Sequence, residues 1–295
     1  MARNPRVRRS AALVFFTGVM MACAPIALAG PDCAPVRRGV PLPAAVDESS
    51  GVAVGLRQPS VLWTHNDDGS TLFALDSTGA LLDSRPVRPR LRDWEDLAVA
   101  RCEAHGSCVY MADTGDNAER RRPGTIRVLR IAEPGPSANS VLRGEVFPLR
   151  LPDGPRDIEA MFVLPDERLY LVTKGRNHAV TVYRYPGPLR PDTVTMEEVQ
   201  RLGDGARPLA DQVTGASALS DGGDVVAIRT YQSMVFYRME GDTLAPLADG
   251  LVNLRTLEES QGEAVALGPG GLVVLTSEAG FFGSLGSMNL LRCRP

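Results

Sequence analysis

The sequence predicts an all-β chain folded as a β-propeller of five blades, its ring closed by the N- and C-terminal segments. Three observations carry the prediction. Short runs rich in Val, Leu, Ile, Tyr and Phe alternate with turns such as Asp67-Asp68-Gly69, Ser77-Thr78-Gly79, Asp221-Gly222-Gly223-Asp224 and Gly268-Pro269-Gly270-Gly271. One two-strand unit recurs five times along the chain. Four cysteines are so placed that one pair can tie the two ends together.

The fullest copy of the unit runs from Asp93 to Asn117. It reads Asp93-Trp94-Glu95-Asp96-Leu97-Ala98-Val99, a short turn, then Val109-Tyr110-Met111-Ala112-Asp113-Thr114-Gly115-Asp116-Asn117. Its first strand aligns with Glu48 to Val54, Asp157 to Val163, Val213 to Leu219 and Gln261 to Leu267. Each copy then meets a second strand: Val61 to Thr64, Val109 to Ala112, Leu169 to Val172, Val225 to Ile228 and Leu272 to Leu275. Third strands follow in most copies, at Leu72 to Leu75, Ile126 to Arg130, Val180 to Arg184 and Met234 to Arg238. A β-sandwich has no reason to repeat its sequence, whereas a propeller does.

Copies beginning at positions 48, 93, 157, 213 and 261 lie 45, 64, 56 and 48 residues apart. Those spacings suit four-stranded blades with one or two insertions and exceed ankyrin, tetratricopeptide and leucine-rich units. A sixth, degenerate blade is the alternative, hidden between Ala132 and Arg156 around the strand-like Val146 to Leu151. No long stretch shows a helical period, and Asp192 to Leu202 is expected to make one helical turn.

At the N-terminus, Arg3, Arg6, Arg8 and Arg9 precede an apolar run from Ala11 to Ala29 that ends Ala27-Leu28-Ala29. That is the pattern of a secretory signal peptide cleaved after Ala29, and Gly18 and Pro25 argue against a membrane anchor. Cys23 offers a lipoprotein alternative, matched less well because Met20 stands where a lipobox has Leu. The expected organisation is a signal peptide over 1–29, an extended lead-in over 30–46 and a single propeller domain over 47–295. No stable membrane span is expected after cleavage.

Removing 1–29 takes away four Arg and no acid, moving the formal charge from -3 to -7. The only basic block is Arg120-Arg121-Arg122 in a turn, so nucleic acid and anionic membranes are disfavoured as partners. Oligomeric state is not legible. Cys33, Cys102, Cys108 and Cys293 remain, an even number in an exported chain, and they allow three pairings. Cys102 with Cys108 is the cheapest local closure, which leaves Cys33 with Cys293 to join the ends. A Cys/His metal site lacks paired C-x-x-C spacing.

The innermost strands of a propeller run beside its axis, so matching positions form rings. At the position of Glu95 the copies read Ser50, Glu95, Glu159, Gly215 and Glu263. Three carboxylates converging on one axis repel unless protonated or bound to a cation. A hard divalent ion, Ca2+ in an exported protein, is the expected answer at Glu95, Glu159 and Glu263. A second ring leaves the second strands and offers Asn66, Asp67, Asp116, Asn117, Lys174, Arg229 and Glu278 to a small polar or anionic ligand. His65 and Asp113 fall on it as candidate bases, His65 being the side chain that titrates nearest neutral pH. His105 and His178 read as surface residues. No G-x-S-x-G, H-E-x-x-H, P-loop or helix-opening G-x-G-x-x-G occurs.

The order Glu-Ser-Ser-Gly, Leu-Trp-Thr-His-Asn-Asp, Asp-Trp-Glu-Asp-Leu-Ala, Asp-Thr-Gly-Asp-Asn, Asp-Ile-Glu-Ala and Gly-Glu-Ala resembles a group of secreted bacterial β-propellers. These are similar to the SdiA-regulated and gluconolactonase/regucalcin-like propellers and more loosely to phytase-like ones. The resemblance spans about residues 46 to 292 and implies an axial Ca2+-type site near Glu95, Glu159 and Glu263. Ser50 and Gly215 depart from the acidic ring. Three functions follow: a cation-binding propeller holding a small ligand, a metal-dependent hydrolase of a lactone or phosphate ester, and an interaction scaffold with a structural ion.

Overall fold

The computed structural model describes Met1 and residues 32–135, 141–219, 222–280 and 285–294. The expected signal peptide, with Cys23 and Ala29, lies outside the described residues. Among the described residues no helix is long and apolar enough to cross a membrane.

Five sheets stand around one axis. Strand β1 (Ala34–Pro41) leaves the N-terminal region and is kept for the last blade. Blade one is β2 (Ser49–Val54), β3 (Leu62–Asn66), β4 (Thr71–Leu75) and β5 (Leu81–Arg88). Blade two is β6 (Trp94–Ala100), β7 (Cys108–Asp113), β8 (Ile126–Ala132) and, after the short β9 (Leu142–Arg143), β10 (Glu145–Arg150). Blade three is β11 (Ile158–Val163), β12 (Leu169–Thr173), β13 (Val180–Arg184) and, after β14 (Val194–Thr195), β15 (Glu197–Leu202). Blade four is β16 (Val213–Ala218), β17 (Val225–Thr230), β18 (Ser233–Glu240) and β19 (Thr243–Asn253). Blade five is β20 (Gly262–Gly268), β21 (Leu272–Ser277) and β22 (Ser287–Arg292), with β1 antiparallel along its outside.

The ring is thus closed by pairing the first described strand with the last. The Cys33–Cys293 disulfide lies beside that seam, and Cys102–Cys108 closes the turn between β6 and β7. Two small devices cover outer edges, which would otherwise expose unpaired backbone groups. β9 runs parallel to β5 of blade one, and β14 runs parallel to β10 of blade two.

The residues read as a possible sixth blade are β10, the outer strand of blade two. The helical turn expected over Asp192 to Leu202 is corrected: these residues form β14 and β15. Glu197 and Glu198 suggested helix by composition, but β15 finds a ladder partner in β13, where Arg184 Nη2 meets Glu197 Oε2 at 2.5 Å. Cross-strand pairing of that kind outweighs a weak local preference.

Five apolar clusters fill the five blade interfaces. Trp63, Trp94 and Met111 lie between blades one and two, and Tyr110, Met161 and Tyr183 between two and three. Phe162, Val182 and Ile228 lie between three and four, Phe236 and Val265 between four and five, and Val52, Leu75 and Val274 between five and one. The inner strands β2, β11 and β20 are buried along their whole length, which explains why they read as apolar runs without alternation.

Candidate functional site

One end of the ring gathers the starts of the inner strands and the ends of their partners. Ladder pairs there match in every blade: Ser49 with Asn66, Trp94 with Asp113, Ile158 with Thr173, Val213 with Thr230 and Gly262 with Ser277. A one-residue bulge follows each pair on the inner strand, and such bulges re-aim a side chain. The bulged residues are Ser50, Glu95, Glu159, Thr214 and Glu263. Sequence alignment placed four of these five. In blade four the ladder puts Thr214, not Gly215, in the ring. That copy has no acidic residue at its head to fix the alignment, so the sequence comparison slipped by one.

The same register sorts the second ring. Asp67, Thr114, Lys174, Tyr231 and Glu278 each follow the matched residue of the second strand. Arg229 stands two positions before Tyr231, in register with His65.

Glu95, Asp157 and Glu159 each bring an oxygen within 4.8 Å of the others, and all three are buried. Asp157 was not among the residues expected at the site. Its signal was present, because it heads the third copy where Asp93 heads the second. Asp157 Oδ1 accepts the amide of Asp116 at 3.0 Å, while its Oδ2 lies 3.6 Å from Arg176 Nη2. Lys174 Nζ sits 2.7 Å from Glu159 Oε1. Glu95 is 8% exposed, and its carboxylate accepts no hydrogen bond among the described residues. Gly115 makes room for it: a Cβ there would collide with Glu95 Oε1 and lie 2.7 Å from Asp93 Oδ2. Glu263 stands apart from the triplet and accepts Gln261 Nε2 at 2.7 Å.

Burial sets the electrostatics of this end. It drives Glu95 well above the ordinary carboxylate range, reinforced by the charges of Glu159 and Asp93. Glu159 is raised to about 7 by burial, with Lys174 opposing the shift. Glu263 rises to about 8 through burial and the neighbouring Glu159, and Glu278 to about 7 through burial and Asp67. Burial works against the charge of Lys174, but Glu159 outweighs it and keeps the ammonium protonated. Burial and Glu263 push Tyr231 up to about 12. The end therefore carries more buried acid than resident cation, a condition met either by retained protons or by a bound cation.

The remaining expected site residues are dispersed. Asp67 groups with Glu48 and Asp68 in a second, partly exposed cluster at the rim. A hydrogen bond to Asp67, followed by burial, raises Glu48 to about 7. Asn66 Nδ2 donates to Asp47 Oδ1 at 3.0 Å, and Asn117 is exposed, its carbonyl 3.4 Å from Arg176 Nη1. Asp116 Oδ2 accepts the Arg121 amide at 2.6 Å. Asp113 is fully buried, with Oδ1 facing Arg121 at 3.1 Å and Oδ2 facing Arg127 at 2.8 Å. Arg229 is buried between blades four and five, where Nη1 donates to Ala264 O at 2.8 Å and Nη2 pairs with Glu259. His65 is fully buried, its ring 4.0 Å from that of Trp94 and its Nδ1 3.0 Å from Asn66 O. Burial lowers its pKa from 6.5 to about 4, so it is neutral near pH 7.

One residue that the sequence left unassigned closes the centre. The position after each bulge reads Gly51, Asp96, Ala160, Gly215 and Ala264, four small residues and one acid. Asp96 Oδ2 accepts the amides of Met161 at 2.8 Å and Ala216 at 3.2 Å, and Oδ1 accepts that of Leu97 at 2.8 Å. It thereby joins the inner strands of blades two, three and four.

A cavity of about 800 Å³ lies at the other end, beside the turns of blades two and three. Its arginines are already matched by acids: Arg130 by Glu145 and Glu167, Arg168 by Asp166, and Arg184 by Glu197 and Asp242. Unlike the axial end, it holds, among the described residues, no buried charge without a counterpart.

No protein-family model and no curated protein matches the chain. Solved structures do. The PQQ-bound form of aldose sugar dehydrogenase from Streptomyces coelicolor matches with a TM-score of 0.54 at 12% identity, over 90% of this chain and 98% of that one. A glucose dehydrogenase matches with a TM-score of 0.50 at 12% identity, over 88% of this chain and 99% of that one. A gluconolactonase from Xanthomonas campestris matches with a TM-score of 0.45 at 12% identity, over 90% and 99%. At such identities the likeness is one of architecture, and the chain is a five-bladed β-propeller whose structural neighbours include sugar dehydrogenases and a gluconolactonase.

Proposed function

We propose that the axial end of this propeller binds a divalent cation, Ca2+ being the expected ion, and beside it a small polar ligand. Glu95, Asp157 and Glu159 would supply the ligand oxygens. The observation that carries the reading is Glu95, a carboxylate 8% exposed that accepts no hydrogen bond among the described residues and faces two further buried acids. An all-oxygen, all-anionic donor set suits a hard cation such as Ca2+. When bound, such an ion supplies charge neutralisation and polarises an oxygen of the ligand. The chain's own contribution is to hold Glu95 and Glu159 on bulges of adjacent blades and Asp157 just before the third blade's inner strand, with Tyr231, Glu263 and Glu278 bordering them. Export belongs to the same reading, because two disulfides suit an oxidising compartment. N-terminal sequencing of the mature protein should then begin at Gly30, and an intact Met1 would argue against export by cleavage.

Calorimetric titration of Ca2+ into metal-stripped protein tests the site. Wild type should bind about one ion, and the triple variant Glu95→Gln/Asp157→Asn/Glu159→Gln should bind none while remaining folded. Equal binding by both would remove the ion from this end of the ring.

One observation favours a second reading, a metal-dependent hydrolase of a lactone or phosphate ester. Glu263, raised to about 8, is a carboxylic acid able to give up a proton near neutral pH. Hydrolysis across a lactone and phosphomonoester panel at saturating Ca2+, lost in Glu263→Gln, would favour the enzyme. An inactive wild type would leave the binding function alone.

A further inference from the structure

Lys174 occupies the region where a cation is wanted. Its ammonium lies 2.7 Å from Glu159 Oε1, and the side chain is only 7% exposed. The charge of Lys174 also acts on Glu95, Glu263 and Glu278, so it stands among acids of blades two, three and five. A divalent ion on Glu95, Asp157 and Glu159 would face this ammonium at close range in a poorly hydrated site, where like charges repel strongly. An ion on Glu159 would also draw charge from the carboxylate that holds the ammonium, and so loosen that pair.

Tyr231 and Glu263 also border the ammonium. The ring centroid of Tyr231 is 5.9 Å from Nζ, near the outer limit of a cation–π contact. Glu263 accepts one hydrogen bond, from Gln261, and a carboxylate has capacity for about four. Lysine suits such a move better than arginine, because a compact ammonium on a flexible stem can swing while the backbone stays fixed. Arg176, the neighbouring cation on Asp157, is a third exposed and needs no such relay, because solvent can take its charge.

We propose that Lys174 is a resident counter-ion of the axial carboxylates, which leaves Glu159 for Glu263 and Tyr231 when the three acids take a divalent ion. The inference rests on the cation reading given above and assigns Glu263 a separate role, as the receiver of the displaced ammonium. Lys174 sets the affinity of the site, keeping it shut to cations that bind too weakly to expel it.

A double-mutant cycle read by Ca2+ titration tests this. Lys174→Met should bind Ca2+ roughly tenfold more tightly than wild type, within the usual range for coupled sites. Glu263→Gln should weaken binding by a similar factor of about ten in the Lys174 background and by much less in Lys174→Met, because no ammonium then needs a receiver. Lys174→Arg, which keeps the charge, should not show the gain. Lys174→Gln serves if the Met variant folds poorly, with melting temperatures in metal-free buffer as the control. Equal effects of Glu263→Gln in both backgrounds would make Glu263 a distant charge and overturn the relay. A Lys174→Met variant no tighter than wild type would overturn the counter-ion. Absence of Ca2+ binding in every variant would instead sink the cation site itself, and the relay with it.

Discussion

The carboxylate of Asp96 and the backbone amide of Met161, 65 positions apart in sequence, meet at 2.8 Å in the middle of the ring. With Ala216 and Leu97 as further donors, one side chain satisfies backbone groups of three blades. Asp96→Ala would leave three buried amides without an acceptor, and the expected loss is about 2 to 4 kcal/mol in denaturant unfolding. Asp96→Asn should cost less. Burial already drives the Asp96 carboxyl well above its ordinary range despite those donors, and an amide oxygen can accept as a neutral group. An Ala variant within about 0.5 kcal/mol of wild type would contradict the assignment.

Arg229 pairs with Glu259 inside the interface of blades four and five, and Glu259 also accepts Asn289 Nδ2 at 3.0 Å. Removing one member of a buried pair strands the other, at a cost of about 3 to 5 kcal/mol. Arg229→Met is therefore expected to lower the melting temperature sharply, with Ca2+ affinity unchanged in whatever fraction stays folded. Weakened ion or ligand binding at full stability would return Arg229 to the ligand-binding ring.

Stability should fall as metal-free protein is taken from pH 6.5 to 8.5. Glu159, Glu263 and Glu278 have folded pKa values of about 7, 8 and 7, all raised from 4.5. Their contribution is complete below about 4.5 and is lost as the pH rises through 7 to 8, because the unfolded chain gives up these protons earlier. His65, lowered from 6.5 to about 4, acts in the opposite sense but only below 6.5. Scanning calorimetry should thus show a lower melting temperature at pH 8.5, and saturating Ca2+ should flatten the trend. A flat metal-free profile would mean that these acids titrate like exposed ones.

The two disulfides should differ in worth. Cys33 and Cys293 are 260 positions apart, Cys102 and Cys108 only 6. Chain-entropy reasoning gives about 5.6 kcal/mol for the long closure against about 2 for the short one. Cys33→Ser/Cys293→Ser should accordingly destabilise more than Cys102→Ser/Cys108→Ser in urea unfolding. The reverse order would show that β1 holds its blade without the covalent tie.

Much of this architecture is legible in the chain because the repeat is written in acids and apolar runs. Asp93-Trp94-Glu95 and Asp157-Ile158-Glu159 mark their own bulges, so blades two and three can be aligned by eye. Blade four carries Val213-Thr214-Gly215 instead, and only the ladder shows that Thr214 takes the ring position. Burial is the other gap. His65 looks like a base because it follows a strand beside Asn66 and Asp67. Only packing shows it turned against Trp94, where protonation is costly. Asp113 and Arg229 likewise read as free charges until Arg121, Arg127 and Glu259, distant or ambiguous in sequence, take them up. Asp157 was visible as the head of its copy, but a carboxylate two residues before Glu159 is hard to tell from turn chemistry.

The closure of blade five by β1 also bears on the order in which the molecule can assemble. Blades one to four each draw their main strands from one continuous stretch and can form from mostly local contacts. β1 must wait for β22, roughly 250 residues later, since Gly39 and Asn289 meet only across that seam. Pairings of such high contact order form late and slowly. Until the final strand arrives, the chain is an open arc with bare inner faces at both ends, vulnerable to pairing with another copy of itself.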